Sequence, residues 1–271
     1  MLEGFDLFTE KRHNDLVYMT APNIEANHAF TTRYGGASRG IFESLNLGIF
    51  LGDDPVHVNG NFRSLCDALS ISCDDIVRSR QVHAADIRVV TDDDRGRVFD
   101  ETPNAADGLI TQETGVALMI FIADCLPILL HDDVRHVAGA VHAGWRGTVL
   151  DIAGAAVRKM SEVYGCLPGS IKAAIGPGIS KCCYETDRDV ADALYAALGS
   201  SAMTCVTESG SKFMVDLKEA NRLLLIRSGL SDISVSDECT ACRCDKYWSH
   251  RRSNGRRGSQ AAVITLSTRM Q

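Results

Sequence analysis

The chain has 271 residues, of which 45% are hydrophobic and 23% charged, as is typical of a soluble globular protein. Its formal net charge of −7 argues against a nucleic-acid-binding domain, which is usually basic. Ten cysteines in a chain of this length are too few for a disulfide scaffold.

The first half of the chain alternates between predicted helix and predicted strands. An apolar stripe with helical spacing predicts a helix over residues 54–69. Short strands are expected at residues 76–82 and 87–90, on either side of His83. The nearly continuous apolar run at residues 115–123 predicts a buried strand. A strand, turn and strand at residues 128–141 predict a hairpin.

The second half contains longer helical patterns. We expect helices at residues 148–164, 187–198 and 216–227, and strands at residues 171–175, 233–235 and 261–266. No internal repeat or linker divides the sequence. Together these elements predict an α+β fold with one domain over residues 1–271, in which helices flank mixed β-sheets.

The N-terminal segment at residues 1–15 carries acidic side chains and lacks the apolar core of a secretory signal peptide. No apolar run reaches the roughly 18 residues that a membrane helix requires. We therefore expect a cytoplasmic protein with reduced thiols that binds neither nucleic acid nor membrane. A monomer is the expected oligomeric state.

Three potential metal ligands, His83, Cys125 and His142, lie at the ends of predicted strands. Ligands from distant segments can converge at strand ends, and a catalytic zinc site typically has three protein ligands and one open position. The spacing of these residues matches no local ligand motif. The alternative is an inert buried thiol with two hydrogen-bonded histidines.

A glycine-rich turn, Gly144-Trp145-Arg146-Gly147, follows His142 directly and opens a predicted helix. The free N–H groups and the dipole at the start of a helix favour an anion. Arg146 would add a charge-assisted pair for phosphate. The same residues would also suit a tight strand-to-helix connection anchored by Trp145.

A second cysteine-rich segment near the C-terminus contains Cys239, Cys242 and Cys244. Three cysteines are one ligand short of a second metal site or an iron–sulfur cluster, and Cys182 or Cys183 could complete the set. The alternative is a group of ordinary reduced thiols near a loop. The neighbouring basic cluster, residues 250–252 with Arg256 and Arg257, suits either a solvated face or a clamp for phosphate or carboxylate.

An ordered series of motifs runs from residue 31 to residue 252: TTRYGGAS, SLNLG, GDDPVHV, QVH, ADGLIT, ADCLPILL, HAGWRGT, IGPGIS with CCYE, VDLKEANR and SHRR. This series resembles the YfiH-type family, formerly described as laccase-domain or multicopper polyphenol oxidoreductases. The resemblance implies a YfiH-like sandwich. It also implies a zinc-dependent purine nucleoside phosphorylase, acting on adenosine, inosine, guanosine and methylthioadenosine, with adenosine deaminase activity.

The resemblance assigns the metal ligands and catalytic residues to His83, Cys125 and His142. Purine nucleosides and phosphate are the partners that it implies, and Zn²⁺ is the implied cofactor, with copper as a possible substitute. Motif membership and charge make four further residues candidates for contacts to phosphate, ribose or base: Arg33, Asn46, Arg146 and Arg251. The sequence does not identify a general acid or base; Asp107 and Asp124 are candidates.

A multicopper centre would need many imidazoles, usually in His-x-His pairs. The chain has eight histidines and no His-x-His pair, so a four-copper centre is not expected. Three alternatives remain: an amidase that edits peptidoglycan precursors, with Cys125 as nucleophile or zinc as catalyst; a polyphenol oxidase acting through bound copper; and a non-catalytic protein with a structural zinc.

Overall fold

The computed structural model describes residues 7–102 and 104–268. Within these ranges, no helix is long and apolar enough to cross a membrane. The first six residues of the N-terminal segment, in which no signal peptide is expected, lie outside the described residues.

The described residues form fifteen strands, named here in chain order. They are β1 Thr9–His13, β2 Leu16–Thr20, β3 Asn27–Thr31, β4 Ile76–Val77, β5 Ile87–Val89, β6 Gly108–Thr111, β7 Ala117–Ile122, β8 Leu126–Asp132, β9 Val137–Ala143, β10 Lys172–Ile175, β11 Glu185–Thr186, β12 Val206–Ser209, β13 Lys212–Val215, β14 Asp232–Val235 and β15 Gln260–Thr265.

These strands make three sheets. The first has the order β1-β2-β3-β15-β7-β4, the second β14-β10-β8-β9-β6-β5, and a small third sheet β11-β13-β12. Most neighbouring strands are antiparallel, but β4 with β7, β5 with β6 and β10 with β14 run parallel. The mixture of parallel and antiparallel pairs confirms the predicted mixed β-sheets.

The described residues also form seven α-helices. They are α1 Pro55–Leu69, α2 Trp145–Val149, α3 Ile152–Tyr164, α4 Arg188–Leu198, α5 Ala202–Cys205, α6 Leu217–Arg227 and α7 His250–Ser253. The first helix begins where the sequence predicts it, since the Asp54 side chain accepts a hydrogen bond from Val56 N and Pro55 occupies the first turn.

Two layers of strands pack between two layers of helices. Phe30 and Ile120 from the first sheet meet Leu129 and Ala140 from the second in the central core. Helix α1 covers the outer face of the first sheet, and α3 and α6 cover the outer face of the second. Strand β8 is therefore buried on both faces, which explains why its sequence is a continuous apolar run.

Two predicted elements differ from the structure. The helix expected at residues 148–164 is interrupted at Asp151, which adopts a left-handed φ of 58° and caps α3 by accepting from Gly154 N. The strand expected at residues 76–82 ends at Val77. Beyond it, the chain leaves the sheet, and this departure brings His83 to the candidate site.

Candidate metal centre and active-site cavity

His83, Cys125 and His142 lie together, with their ligand atoms within 4.8 Å of one another. Cys125 immediately precedes β8, and His142 lies near the end of β9, where it pairs with Pro127 across the antiparallel ladder. The loop after β4 supplies His83, whose Nε2 is 3.9 Å from Cys125 Sγ. The structure thus brings the three predicted ligands together, and this group could hold a metal ion.

Asp107 fixes the orientation of His142. Its Oδ1 accepts a hydrogen bond from His142 Nδ1 at 2.8 Å, and both residues are buried. Because Nδ1 is engaged, Nε2 of His142 is the nitrogen left to bind a metal. A carboxylate that orients a histidine ligand is typical of metal sites.

The same carboxylate also holds the loop that carries His83. Asp107 Oδ1 accepts from His83 N at 3.0 Å, and Oδ2 accepts from Val82 N at 3.0 Å and Ala84 N at 2.9 Å. These bonds maintain His83 at a left-handed φ of 61°, a conformation that disfavours most non-glycine residues. Asp107 therefore positions two of the three candidate ligands.

Cys125 and His142 influence each other's protonation. Burial favours the neutral thiol, but His142 and His83 outweigh it and lower the pKa of Cys125 to about 6. Burial also favours the neutral imidazole, yet Cys125 and Asp107 raise the pKa of His142 to about 9. Near neutral pH the metal-free pair is therefore a thiolate facing an imidazolium.

Gly144 allows the ligands to approach so closely. A Cβ atom at this position would lie 3.0 Å from His83 Cδ2 and 3.2 Å from Cys125 Sγ. Such contacts are tighter than ordinary van der Waals separation, so a side chain here would displace a ligand. The glycine of the HAGWRGT motif thus has a steric role beside the centre.

The three residues open onto a cavity of about 1090 Å³, large enough for a nucleoside. Its walls combine apolar and aromatic side chains with several cations. The apolar part includes Ile49, Phe50, Leu51, Phe121, Ile122, Ile179 and Tyr184, and the cationic part includes Arg78, Arg80, Arg251 and Arg257. The cavity therefore offers a ligand both apolar contacts and positive charge.

Arg251 and Arg257 interact with Asp124, the residue that precedes the candidate ligand Cys125. Arg251 N donates to Asp124 Oδ2 at 2.6 Å, and Asp124 precedes Cys125. Arg257 interacts electrostatically with Asp124 and Cys125. Within the described residues, the buried Nε of Arg257 has no hydrogen-bond acceptor.

Of the four predicted substrate contacts, Arg251 lines the cavity, whereas Arg33, Asn46 and Arg146 do not. The Arg33 guanidinium stacks on the Trp248 ring at 3.9 Å and donates to the carbonyl oxygen of Cys244. Asn46 is fully buried, and its Oδ1 accepts from two backbone N–H groups at 2.8 and 2.9 Å. Both residues therefore have a structural role in this protein.

Arg146 lies on the surface, with its guanidinium 4.3 Å from the Trp145 ring. The helix that begins here, α2, has only five residues before the chain turns at Asp151. So short a helix has a small dipole, which weakens the expectation of an anion at its start.

Both carboxylates considered as general acid or base are already engaged. Asp107 is occupied as described above. Asp124 Oδ1 accepts from the Thr240 hydroxyl at 2.7 Å, while Oδ2 accepts from Arg251 N. Both residues hold neighbouring groups in place, and Asp124 also lines the cavity.

Gln81, Tyr184 and Arg257 are among the cavity residues that sequence reasoning missed. Gln81 was noted only as part of the QVH motif, and Tyr184 and Arg257 only within the CCYE motif and a basic cluster. The Gln81 side chain donates to Phe121 O and accepts from Phe121 N, both at 2.7 Å. Position within a motif was the available signal, but it does not show which way a side chain faces.

Residues 27–267 match a family described as multi-copper polyphenol oxidoreductase laccase. The chain belongs to this family. The laccase-domain resemblance predicted from the motifs is therefore confirmed. The family description refers to copper, yet His83, His142 and His250 are the histidines among the described cavity-lining residues, too few for a multicopper centre.

Relatives of this laccase-family chain have names that refer to nucleosides. The purine nucleoside phosphorylase YlmD of Geobacillus stearothermophilus is 39% identical over 265 residues, which cover 96% of this chain and 97% of the relative. The adenosine deaminase RL5, from an unknown prokaryotic organism, is 32% identical over 239 residues, covering 86% and 91% of the two chains.

The fold agrees with a solved structure of the same group. The crystal structure of YlmD from Geobacillus stearothermophilus superposes with a TM-score of 0.91 at 38% identity, covering 97% of this chain and 99% of that one. This match confirms the predicted α+β sandwich.

Proposed function

We propose that this protein is a zinc-dependent purine nucleoside phosphorylase that also deaminates adenosine, with His83, Cys125 and His142 as its metal ligands. The observation that carries the proposal is the convergence of the three ligand atoms within 4.8 Å at a cavity of about 1090 Å³. The names of the relatives supply the two activities. Both are reactions of a purine nucleoside, so one cavity can serve both.

The donor set fits zinc. Two imidazoles and a thiolate are common zinc ligands, and three protein ligands leave a position open for chemistry. Copper can occupy the same nitrogen and sulfur donors, so it remains a possible substitute. When bound, the metal supplies a Lewis acid at the cavity floor.

The residues of the chain do the remaining work. Asp107 holds the proton on His142 Nδ1, which keeps Nε2 directed at the centre. The aromatic walls, including Phe121 and Tyr184, suit a purine, and Arg251 and Arg257 suit phosphate. In phosphorolysis a phosphate oxygen bonds to the anomeric carbon while the glycosidic C–N bond breaks and its electron pair leaves with the purine.

Cations close to the reacting atoms would act mainly through charge. The transition state of this displacement resembles an oxocarbenium ion next to an anionic nucleophile. Fixed guanidinium groups hold the phosphate in line and cost no reorganisation when the reaction occurs.

The test measures hypoxanthine released from inosine and phosphate by protein purified without added metal. We expect bound zinc, and we expect Cys125→Ser to lower kcat/KM by at least about 100-fold because the metal and its Lewis acidity are lost. Cys244→Ser and His13→Gln are matched controls outside the cavity. A zinc-free protein with full activity would contradict the proposal.

One observation favours a second candidate, a cysteine-dependent amidase. Without metal, the thiolate of Cys125, the imidazolium of His142 and the carboxylate of Asp107 form a Cys–His–Asp series. This candidate would be favoured if the protein hydrolyses amides without phosphorolysis, and if this activity resists chelators but stops on thiol alkylation.

A cytoplasmic location and a monomeric state stay predictions.

A further inference from the structure

A second group of metal-ligand side chains lies in the loops after β10 and β14. The sulfur atoms of Cys182, Cys183, Cys239 and Cys242 are all within 4.8 Å of one another. Cys242 Sγ is 3.5 Å from Cys182 Sγ and 3.4 Å from Cys183 Sγ, and the sulfurs of Cys182 and Cys183 are 3.9 Å apart. Cys244, in the same segment, is not part of this group.

These separations match a single tetrahedral ion. With Zn–S bonds of about 2.3 Å, the sulfurs of a tetrahedral site are roughly 3.8 Å apart. The observed separations bracket that value. Every sulfur pair is too long for a disulfide, which requires about 2.05 Å. An iron–sulfur cube bonds each thiolate to a different iron, so it would hold the sulfurs farther apart.

The fold explains why four cysteines from distant parts of the sequence meet. Strands β10 and β14 run parallel, so the loops that follow them leave from the same edge of the sheet. Backbone pairing continues past the strands. Gly178 forms a parallel β-bridge with Cys239, and Thr240 N donates a hydrogen bond to Gly178 O at 3.1 Å. This pairing places Cys182 and Cys183 beside Cys239 and Cys242.

The surroundings suit a negatively charged sulfur site. Ser180 N donates to Cys239 Sγ at 3.3 Å. The buried ammonium of Lys218 donates to Ser236 O and Glu238 O, each at 2.8 Å, and interacts electrostatically with Cys239 and Cys182. A backbone donor and a buried cation are the kind of neighbours that offset the charge of a four-thiolate site.

We propose that Cys182, Cys183, Cys239 and Cys242 bind one Zn²⁺ ion in a closed, structural site. Four protein ligands complete the tetrahedral coordination and leave no position for a substrate. The ion would join the loop after β10 to the loop after β14, which are otherwise held together by a few backbone hydrogen bonds and a small apolar cluster around Ile179 and Ala241.

The second site lies directly behind the cavity wall. Arg251 Nη1 donates to Cys183 O at 3.1 Å, Tyr184 follows Cys183, and the Thr240 hydroxyl donates to Asp124. Loss of the ion is therefore expected to loosen Tyr184 and Arg251. This consequence for substrate binding rests on the proposed function, whereas metal binding itself does not.

The test is the zinc content of whole, freshly purified protein, measured by mass spectrometry of the metal together with the protein concentration. We expect about two zinc ions per wild-type chain, and about one in Cys242→Ser and in His142→Ala. Cys244→Ser, a matched change in the same segment, keeps about two. If the zinc content falls in His142→Ala but does not change in Cys242→Ser, the second site is overturned. The proposed function is then left intact.

Two further measurements do not depend on the folding of Cys242→Ser. A mercurial that reacts with the thiols of wild-type protein is expected to release about two zinc ions per chain, while the helix content measured by circular dichroism stays unchanged; release of one ion alone would count against the second site. Cobalt loaded into Cys125→Ser is expected to show the absorption of an all-sulfur tetrahedral site. An intramolecular disulfide among the four cysteines in freshly purified protein, found by peptide mapping, contradicts the proposal.

Discussion

The two groups of candidate ligands contrast in donor type and in what surrounds them. The first, His83, Cys125 and His142, mixes nitrogen with sulfur, has three members and opens onto a cavity. The second has four sulfurs, joins two loops and has no member among the cavity-lining residues described. The contrast teaches that ligand number alone does not separate a catalytic from a structural metal site. An open coordination position beside a cavity is what indicates a catalytic one.

Cys125 of the first group and Cys182 of the second should differ most in thiol reactivity once metal is removed. Burial opposes ionisation of Cys125, but His142 and His83 lower its pKa to about 6. At Cys182, burial and its hydrogen bond with Cys242 raise the pKa to about 11. At pH 7 Cys125 is mostly thiolate and Cys182 is not, so we expect iodoacetamide to modify Cys125 about 100-fold faster.

Peptide mass spectrometry across a pH series measures both rates. The rate at Cys125 is expected to level off above about pH 6 and to fall below it, because protonation removes the thiolate. The rate at Cys182 is expected to keep rising through the alkaline range. Equal rates at neutral pH would contradict the assignment of the ion pair to the first group.

The orientation of His142 by Asp107 is tested by Asp107→Asn. An amide would direct its NH₂ group at backbone donors, since Oδ2 accepts from Val82 N and Ala84 N. We expect the affinity of the first group for zinc to fall roughly 10- to 100-fold. Competition with a chromophoric chelator measures this affinity.

Asp132→Asn is the matched control. Asp132 is also fully buried and accepts from Val134 N, Arg135 N and the Ser170 hydroxyl, at the turn between β8 and β9. Both variants are expected to lose stability, but only Asp107→Asn should lose zinc affinity. An equal loss of zinc affinity in both variants would mean that Asp107 has only a general structural role.

A comparison of Arg251 with Arg33 tests the predicted substrate contacts. Arg251 lines the cavity, so Arg251→Ala is expected to raise KM for phosphate by about 10-fold, as loss of a charge-assisted pair requires. Arg33 stacks on Trp248 away from the cavity. Arg33→Ala should lower the melting temperature and leave KM unchanged; the reverse pattern would restore Arg33 as a substrate contact.

The smallest expected effect comes from Gly144→Ala. The new Cβ would press on His83 and on Cys125 Sγ, which must shift by a few tenths of an ångström. We expect zinc affinity at the first group to fall a few-fold, with no change at the second. Gly169→Ala is the control, because no atom lies within 4 Å of its added Cβ.

Local signals predicted most of the regular elements but not their interruptions. The cap at Asp54 and the apolar stripe of α1 are adjacent in sequence, so they could be read directly. The break at Asp151 was missed because apolar spacing continues across it from Thr148 into α3. Propensity and periodicity do not show that a polar residue will take a left-handed turn there.

The candidate site was predictable in its ligands and less so in its surroundings. Motif resemblance identified His83, Cys125 and His142, and the structure brings them together. The same kind of signal could not distinguish Asn46, a buried brace, from Arg251, a cavity residue. The orienting hydrogen bond between His142 and Asp107 joins residues 35 positions apart. It follows from the antiparallel pairing of β6 with β9, which only the fold reveals.

Gln81 has a wider consequence for the shape of the molecule. Its side-chain amide makes the two hydrogen bonds to Phe121 that a peptide unit of a neighbouring strand would make. The Gln81 side chain thus replaces the hydrogen bonds that a longer β4 would make to β7. The main chain after Val77 can therefore leave the sheet. Because the Gln81 side chain satisfies the backbone of Phe121, this edge of β7 does not need a longer β4 beside it, and Phe121 and Ile122 can line the cavity there.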